Sequence, residues 1–441
     1  MFRLLRDETG DRRRIVVTGV GVVSSAGRTT ASFWDALTRS AGAGAAQGTG
    51  SDEFSQRNSG VADFSGRIDD FCELPAAMRK AIHKALKLMN RETQMGVAAG
   101  QQALRDSGVQ QHHAPERIGI CFGAENVSVM PEDFQAGVDA CSDGAGGFDM
   151  DRWGTDGISQ VAPLWLLKCL PNMAACHLAI INDLRGPGNT ITQRDVAVNM
   201  AVAEACRAIL DDDADVMVVG GTGTTLSTFN LMHARLEEDV VDGQDDGVCR
   251  PFDRRRRASV PGEGAGVIVL EELLAALRRG APIYGEILAA ASASCVGQDA
   301  AAGCRKALTS ALRLVLQRAD LPPEFIGHIH AHGLGTRKSD LAEAQAIAQV
   351  LGESSGRIPV VAAKSQLANA GAGAGALEVI ASLLALKHGH LFPVRNFREP
   401  DPECPVRPVT GCDDAAGTSF LNLNMFGRGL ASCMAVGTFR G

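Results

Sequence analysis

The sequence predicts a layered α/β fold. Strand-like and helix-like segments alternate along the 441 residues, the strands are continuous apolar runs of the kind buried on both faces, and several end in glycine or polar turns. Roughly three domain lengths of chain allow one large α/β body or two fused halves. With 45% apolar residues, 21% charged residues, 50 glycines and 17 prolines, the chain is globular and not disordered.

The first strand, Ile15-Val16-Val17-Thr18, breaks at Gly19-Val20-Gly21 and resumes as Val22-Val23-Ser24 toward a helical stretch at 33–40. A G-x-G after a strand invites a dinucleotide site, but Ser24 replaces the third glycine and no acidic residue closes a second strand. From Met78 to Leu104, Ile82, Ala85, Leu86, Leu88, Met89, Met95, Val97 and Ala98 recur at near-helical spacing and predict one long, mostly buried helix. Residues 118–123 read as an interior strand and 139–157, rich in Asp and Gly, as a surface excursion. An extended segment at 189–192, a helix at 196–210 and a buried strand at 215–221 follow. Strands at 265–270, 283–293, 326–332 and 360–363 then alternate with helices at 304–318, 341–351 and 377–388. Residues 239–257 form a charged connection expected to run over the surface, dividing a first half (1–257) from a second (258–441) that packs against it as one body.

Forty-three basic against 51 acidic side chains give a net charge of −8, which lacks the footprint of a nucleic-acid binder. The 12 cysteines show no C-x-x-C pair and no Cys/His zinc spacing, so reduced cytoplasmic thiols, mostly buried as small hydrophobes, fit best and no metal is expected. Residues 1–14 are rich in Arg and Asp and lack the apolar core of a signal peptide, and no later stretch is apolar for long enough to span a bilayer.

Polar residues cluster at three strand ends, where α/β folds present reactive groups. In Gly186-Pro187-Gly188-Asn189-Thr190-Ile191-Thr192-Gln193-Arg194-Asp195, Asp195 falls at a helix start, where taken alone it reads as an N-cap contributing about 1 kcal/mol. In Ile329-His330-Ala331-His332-Gly333-Leu334-Gly335-Thr336, His332 is the best base candidate, the alternative being a hydrogen-bonded structural histidine. The third cluster is Ala363-Lys364-Ser365-Gln366-Leu367-Ala368-Asn369, followed by small residues that allow close packing.

In order, the opening 15–24, Leu170-Pro171-Asn172-Met173-Ala174, Gly186-Pro187, Pro251-Phe252-Asp253, Gly262-Glu263-Gly264-Ala265-Gly266, His332 to Thr336, Lys364-Ser365 and Phe426-Gly427-Arg428-Gly429 resemble, across essentially the whole chain, the β-ketoacyl-acyl-carrier-protein synthases of the thiolase superfamily. The resemblance implies a duplicated five-layered α/β fold (αβαβα), a dimer, no cofactor, and substrates carried as thioesters on acyl carrier protein. It places substrate-binding roles on Thr336, Phe426, Gly427, Arg428 and Gly429, and a supporting role on Glu343.

Residue 195 departs from the family pattern. A working member has a nucleophilic cysteine there, its thiolate favoured by the helix N-terminus. Asp195 is a poor acyl acceptor, because its mixed anhydride would hydrolyse. The family's second histidine is Asn369, whose amide can still donate to a thioester oxygen. Leu334 replaces a hydroxyl residue and Arg428 a gating phenylalanine, while Thr336, Glu343 and Lys364 match. Family geometry predicts a charge-assisted Asp195–Arg428 pair that plugs the pocket, the alternative being an Arg428 turned to solvent or to a partner chain. Arg254 to Arg257 could dock an acidic carrier protein or form a solvated charged face.

The resemblance points to a non-condensing partner subunit like the chain length factors that pair with a cysteine-bearing ketosynthase in type II polyketide or polyene assembly, where glutamine is the usual replacement. The alternative is a stand-alone enzyme, a malonyl decarboxylase, cyclase or acyltransferase, using Asp195 or His332 as base and Asn369 to hold a carbonyl. A homodimer in place of the heterodimer, or a scaffold without a pocket, completes the options.

Overall fold

Strand β1 (Ile15–Val23) is buried at every position, as an apolar β-branched run between two layers should be. This computed structural model describes residues 13–39, 60–126, 130–241, 248–297 and 299–439. Most of the N-terminal segment 1–14 and residues 242–247 of the charged connection lie outside the described residues. After β1 come α1 (Thr30–Arg39), α2 (Ala76–Ala85) and α3 (Arg91–Ser107). The single helix expected over 78–104 is interrupted at Met89 and Asn90. The Asn90 side chain accepts the Thr93 N–H at 2.8 Å, and this cap starts a new helix.

The first half continues with β2 (Ile118–Gly123), α4 (Met173–Asn182), β3 (Gly188–Ile191), α5 (Ala197–Leu210), β4 (Val216–Thr224), α6 (Thr228–Glu237) and β5 (Glu263–Glu272). The second contains β6 (Gly285–Ser294), α7 (Ala300–Ala319), β7 (His328–His330), α8 (Arg337–Leu351), β8 (Pro359–Val361), α9 (Ala372–His388), β9 (Arg407–Pro408), β10 (Ser419–Phe426) and β11 (Leu430–Gly437). Sequence periodicity had not marked β10 and β11 as strands.

Strand order exposes the duplication. The first half runs β3-β2-β4-β5-β1 and the second β8-β7-β10-β11-β6, and in each the first three strands are parallel and the last two antiparallel. The two sets meet where Val16 and Val17 of β1 pair with Glu286 and Gly285 of β6. Strand β5 pairs with β1 and β4 and so belongs to the first of these sets. Helices α5 and α9 form the middle layer, α3 covers the outer face of the first sheet, and α7 covers that of the second, with apolar clusters filling each interlayer space. At the seam, glycines let backbones touch: a Cβ at Gly221 or Gly223 would collide with the carbonyls of Ala372 or Ala370.

The connection at 239–257 is not wholly superficial. Phe252, Asp253 and Arg256 are buried; Asp253 accepts N–H bonds from Arg255, Arg398 and Glu399, and Arg256 pairs with Asp401 at 2.5 Å. Arg256 therefore builds structure, whereas Arg254, Arg255 and Arg257 are exposed. All twelve cysteines are unpaired. Among the described residues, no helix is long and apolar enough to cross a membrane.

Candidate functional site

The site forms where turns from both halves meet at the middle layer. Beyond β7, the chain passes through His332-Gly333-Leu334-Gly335-Thr336 into α8, with Gly333 (φ +48°) and Gly335 (φ +82°) taking backbone conformations that side-chain-bearing residues rarely adopt. Two acids on α8 hold this turn. Glu343 accepts the N–H groups of His332 (2.7 Å) and Gly333 (2.9 Å), and Asp340 accepts those of Gly335 (3.0 Å) and Phe252 (2.8 Å). Burial pushes Glu343 up to about 8 and Asp340 up to about 6 against the pull of these bonds. Thr336 caps α8 by accepting the Ser339 N–H at 3.2 Å, and it also lines the cavity described below.

His332 is buried, and Lys364 lies 3.2 Å from its Nδ1. Burial and the Lys364 charge drive the imidazole pKa well below its ordinary value, so the ring is neutral. With Nδ1 accepting from the ammonium, the proton sits on Nε2. His332 thus presents an N–H at Nε2, while its Nδ1 is engaged by Lys364 and is not free to act as the base considered from sequence. Burial alone would lower the Lys364 pKa. The charges of Glu378 and Asp195 and the Glu378 hydrogen bond outweigh it, and the net shift is upward. The other Glu378 oxygen accepts from Asn424 (2.6 Å) and Asn422 (3.4 Å), fixing this buried ion pair on β10. Asn369 uses its side-chain oxygen to accept the Gly371 N–H at 3.1 Å, while its backbone joins Val260 and Gly262.

The other corner belongs to the first half. Asp195 is 1% exposed at the start of α5, yet no side chain caps that helix, and the Asp195 Oδ1 has no hydrogen-bond partner. The expected N-cap is not made. Its neighbour Arg194, held at φ +48°, turns inward: Nε donates to Glu125 at 3.1 Å, Nη2 lies 3.8 Å from Glu238, and the guanidinium stands 5.0 Å from the Phe426 ring centroid. Glu125 also accepts the Ala372 N–H at 2.8 Å. Burial, reinforced by the Asp195 charge, raises the Glu238 pKa.

Arg428 does not join this group. It rides the tip of the β10–β11 turn, 73% exposed, with Nε 2.8 Å from Glu237. The predicted Asp195–Arg428 pair is therefore not made, and the alternative of an outward Arg428 holds: the turn carries the side chain to the surface, and Arg194 is a cation beside Asp195. A cavity of about 270 Å³ leads in from the surface past Leu236 and Lys338 to His332, Leu334, Thr336, Phe426 and Gly427. Gly429 does not line it; with φ +79° it packs against Cys295. Sequence reasoning assigned no role to Arg194, Glu125, Glu238 or Glu378. The lone acid in the apolar run of α9 was a usable signal for Glu378, since a buried carboxylate requires a partner. Among the described residues, no group of His, Cys, Asp and Glu has the arrangement of a metal site.

Comparison with known proteins adds to this geometry. The chain matches the Beta-ketoacyl synthase, N-terminal domain, over residues 12–276, and the Beta-ketoacyl synthase, C-terminal domain, over 284–398. It is 29% identical to 3-oxoacyl-[acyl-carrier-protein] synthase 2 of Synechocystis sp., covering 95% of this chain and 96% of that protein. It is 31% identical to the tetracenomycin polyketide synthase ketoacyl synthase alpha subunit of Streptomyces glaucescens, with 89% of each covered. Among solved structures, the ishigamide ketosynthase/chain length factor superposes with a TM-score of 0.79 at 27% identity, covering 97% of this chain and all of that one.

Proposed function

This chain belongs to the beta-ketoacyl synthase family, and we propose that within it the molecule is the non-condensing partner of a cysteine-bearing ketosynthase, a chain-length-factor-like subunit of type II polyketide or polyene assembly. The observation that carries this reading is the Asp195 corner. In place of a nucleophilic thiol stand a carboxylate and a buried Arg194–Glu125 pair, which together leave no acyl acceptor at residue 195. The retained His332–Lys364–Glu378 scaffold offers a donor but no base, which counts against the stand-alone decarboxylase, cyclase or acyltransferase.

The partner would cover the open edge of β3, a terminal strand of the sheet, and the exposed Ile180 on α4, which packs against β3. Acyl carrier protein would approach the cavity mouth by the exposed Arg235 and Lys338. A cytoplasmic setting suits twelve unpaired thiols. Co-expression with a cysteine-bearing ketosynthase from the same source tests the reading: a stable one-to-one complex is expected. A homodimer that condenses acyl substrates unaided would overturn it.

A further inference from the structure

We propose that the cavity holds a ligand carrying a primary ammonium group, with Glu238 as its counter-ion and Asp195 adding a second negative charge nearby. Glu238 follows α6 and lines the cavity, yet its side chain is only 7% exposed. Its Oε2 accepts from the Ser259 hydroxyl at 3.1 Å, and its Oε1 stands 3.8 Å from Arg194 Nη2, beyond hydrogen-bond length. Asp195, next to Arg194 in the chain, is buried, and its Oδ1 has no hydrogen-bond partner. The two buried cations at hand are bonded elsewhere: Lys364 to Glu378, and Arg194 to Glu125 at 3.1 Å.

Two buried carboxylates thus accept no hydrogen bond from a cation, and one of them faces a cavity open to solvent. Buried charges are ordinarily paired, so a cation that enters the cavity would complete the group. Burial and the Asp195 charge raise the Glu238 pKa, and a positive group against Glu238 would reverse that shift. Leu334 and Met425, both buried, and Phe426 give the same cavity an apolar wall that suits an alkyl chain. Arg235 and Lys338, the cations at its mouth, are exposed, so solvent and salt screen them. Among the described residues no group of His, Cys, Asp and Glu is arranged to hold a metal ion, which favours an organic cation. Such binding needs no partner subunit.

The test titrates the full chain with n-pentylamine and with its uncharged counterpart 1-pentanol, read by saturation-transfer NMR at pH 8, where the amine carries its charge. Pentylamine is expected to bind about tenfold more tightly than pentanol and to lose that margin in Glu238→Gln, an isosteric change whose unfolding midpoint shows that the variant is folded. Asp195→Asn, which removes the second charge, is expected to weaken pentylamine by a smaller factor. Pentanol bound as tightly as pentylamine, or pentylamine binding unchanged in Glu238→Gln, overturns the proposal. In a parallel arm, tighter binding of 6-aminohexanoyl-N-acetylcysteamine than of its hexanoyl analogue supports an amine delivered at the end of an acyl chain, and a preference confined to pentylamine supports a free amine. A chain that pairs with a ketosynthase yet shows no preference for ammonium sinks the ligand alone. A clear preference in a chain that pairs with nothing sinks the partner reading alone.

Discussion

The two corners of the site come from equivalent halves and are built in opposite ways. In the second half, His332, Lys364, Glu378 and Glu343 form a closed hydrogen-bonded frame in which each charge has a partner. In the first half, Asp195 and Arg194 stand in a crowded charge cluster in which the Asp195 Oδ1 stays unsatisfied. The difference teaches that the order of the second corner does not depend on the first, because its bonds also hold the turn before α8 in place.

The sharpest way to break this contrast is to restore the thiol. Asp195→Cys alone is expected to give no acyl adduct at residue 195, because Arg194 and its carboxylates still fill the corner, whereas Arg194→Ala with Asp195→Cys should load there, as read by intact mass. Next in size is the frame itself. Lys364→Met strands Glu378 in the interior and should lower unfolding stability by about 3–5 kcal/mol in urea, with Glu378→Gln in the same chain returning part of the loss. Arg194→Met should cost about 3 kcal/mol by the same logic, since it leaves Glu125 without its cation.

A smaller effect comes from Glu343, whose folded pKa, about 8, lies above its ordinary 4.5. Its contribution is fully present below about pH 4.5 and is lost as pH rises through about 8, so the midpoint should fall across that window, and fall less steeply in Glu343→Gln. The smallest effect belongs to Arg428→Ala. With the side chain exposed to solvent, no measurable change in unfolding midpoint is expected, whereas a clear loss would revive a structural role for Arg428.

Strand β2 falls where the sequence places it, at 118–123, because a short apolar run buried on both faces has one reading. The break in the 78–104 helix was harder, since the periodicity continues across Asn90 and only its capping bond reveals the restart. His332 and Thr336 lie on the motif turn before α8, and the structure brings Glu343 of α8 and Lys364 to the same turn. For Arg428 the sequence left two placements open for the complementary reason: a motif fixes a residue's place in the chain, not the direction of a long side chain at a hairpin tip. Arg194 escaped notice because a charged residue beside another charge ordinarily faces water, and its burial depends on Glu125 and Glu238, 69 and 44 positions away.

The glycine seam between β4 and α9 carries one more consequence. Where main chains abut without intervening side chains, a side chain introduced at Gly221 or Gly223 would push the two layers apart. Such a joint would let natural selection rewrite the chemistry above it freely, because the shell keeps its shape whichever residues occupy the reacting positions.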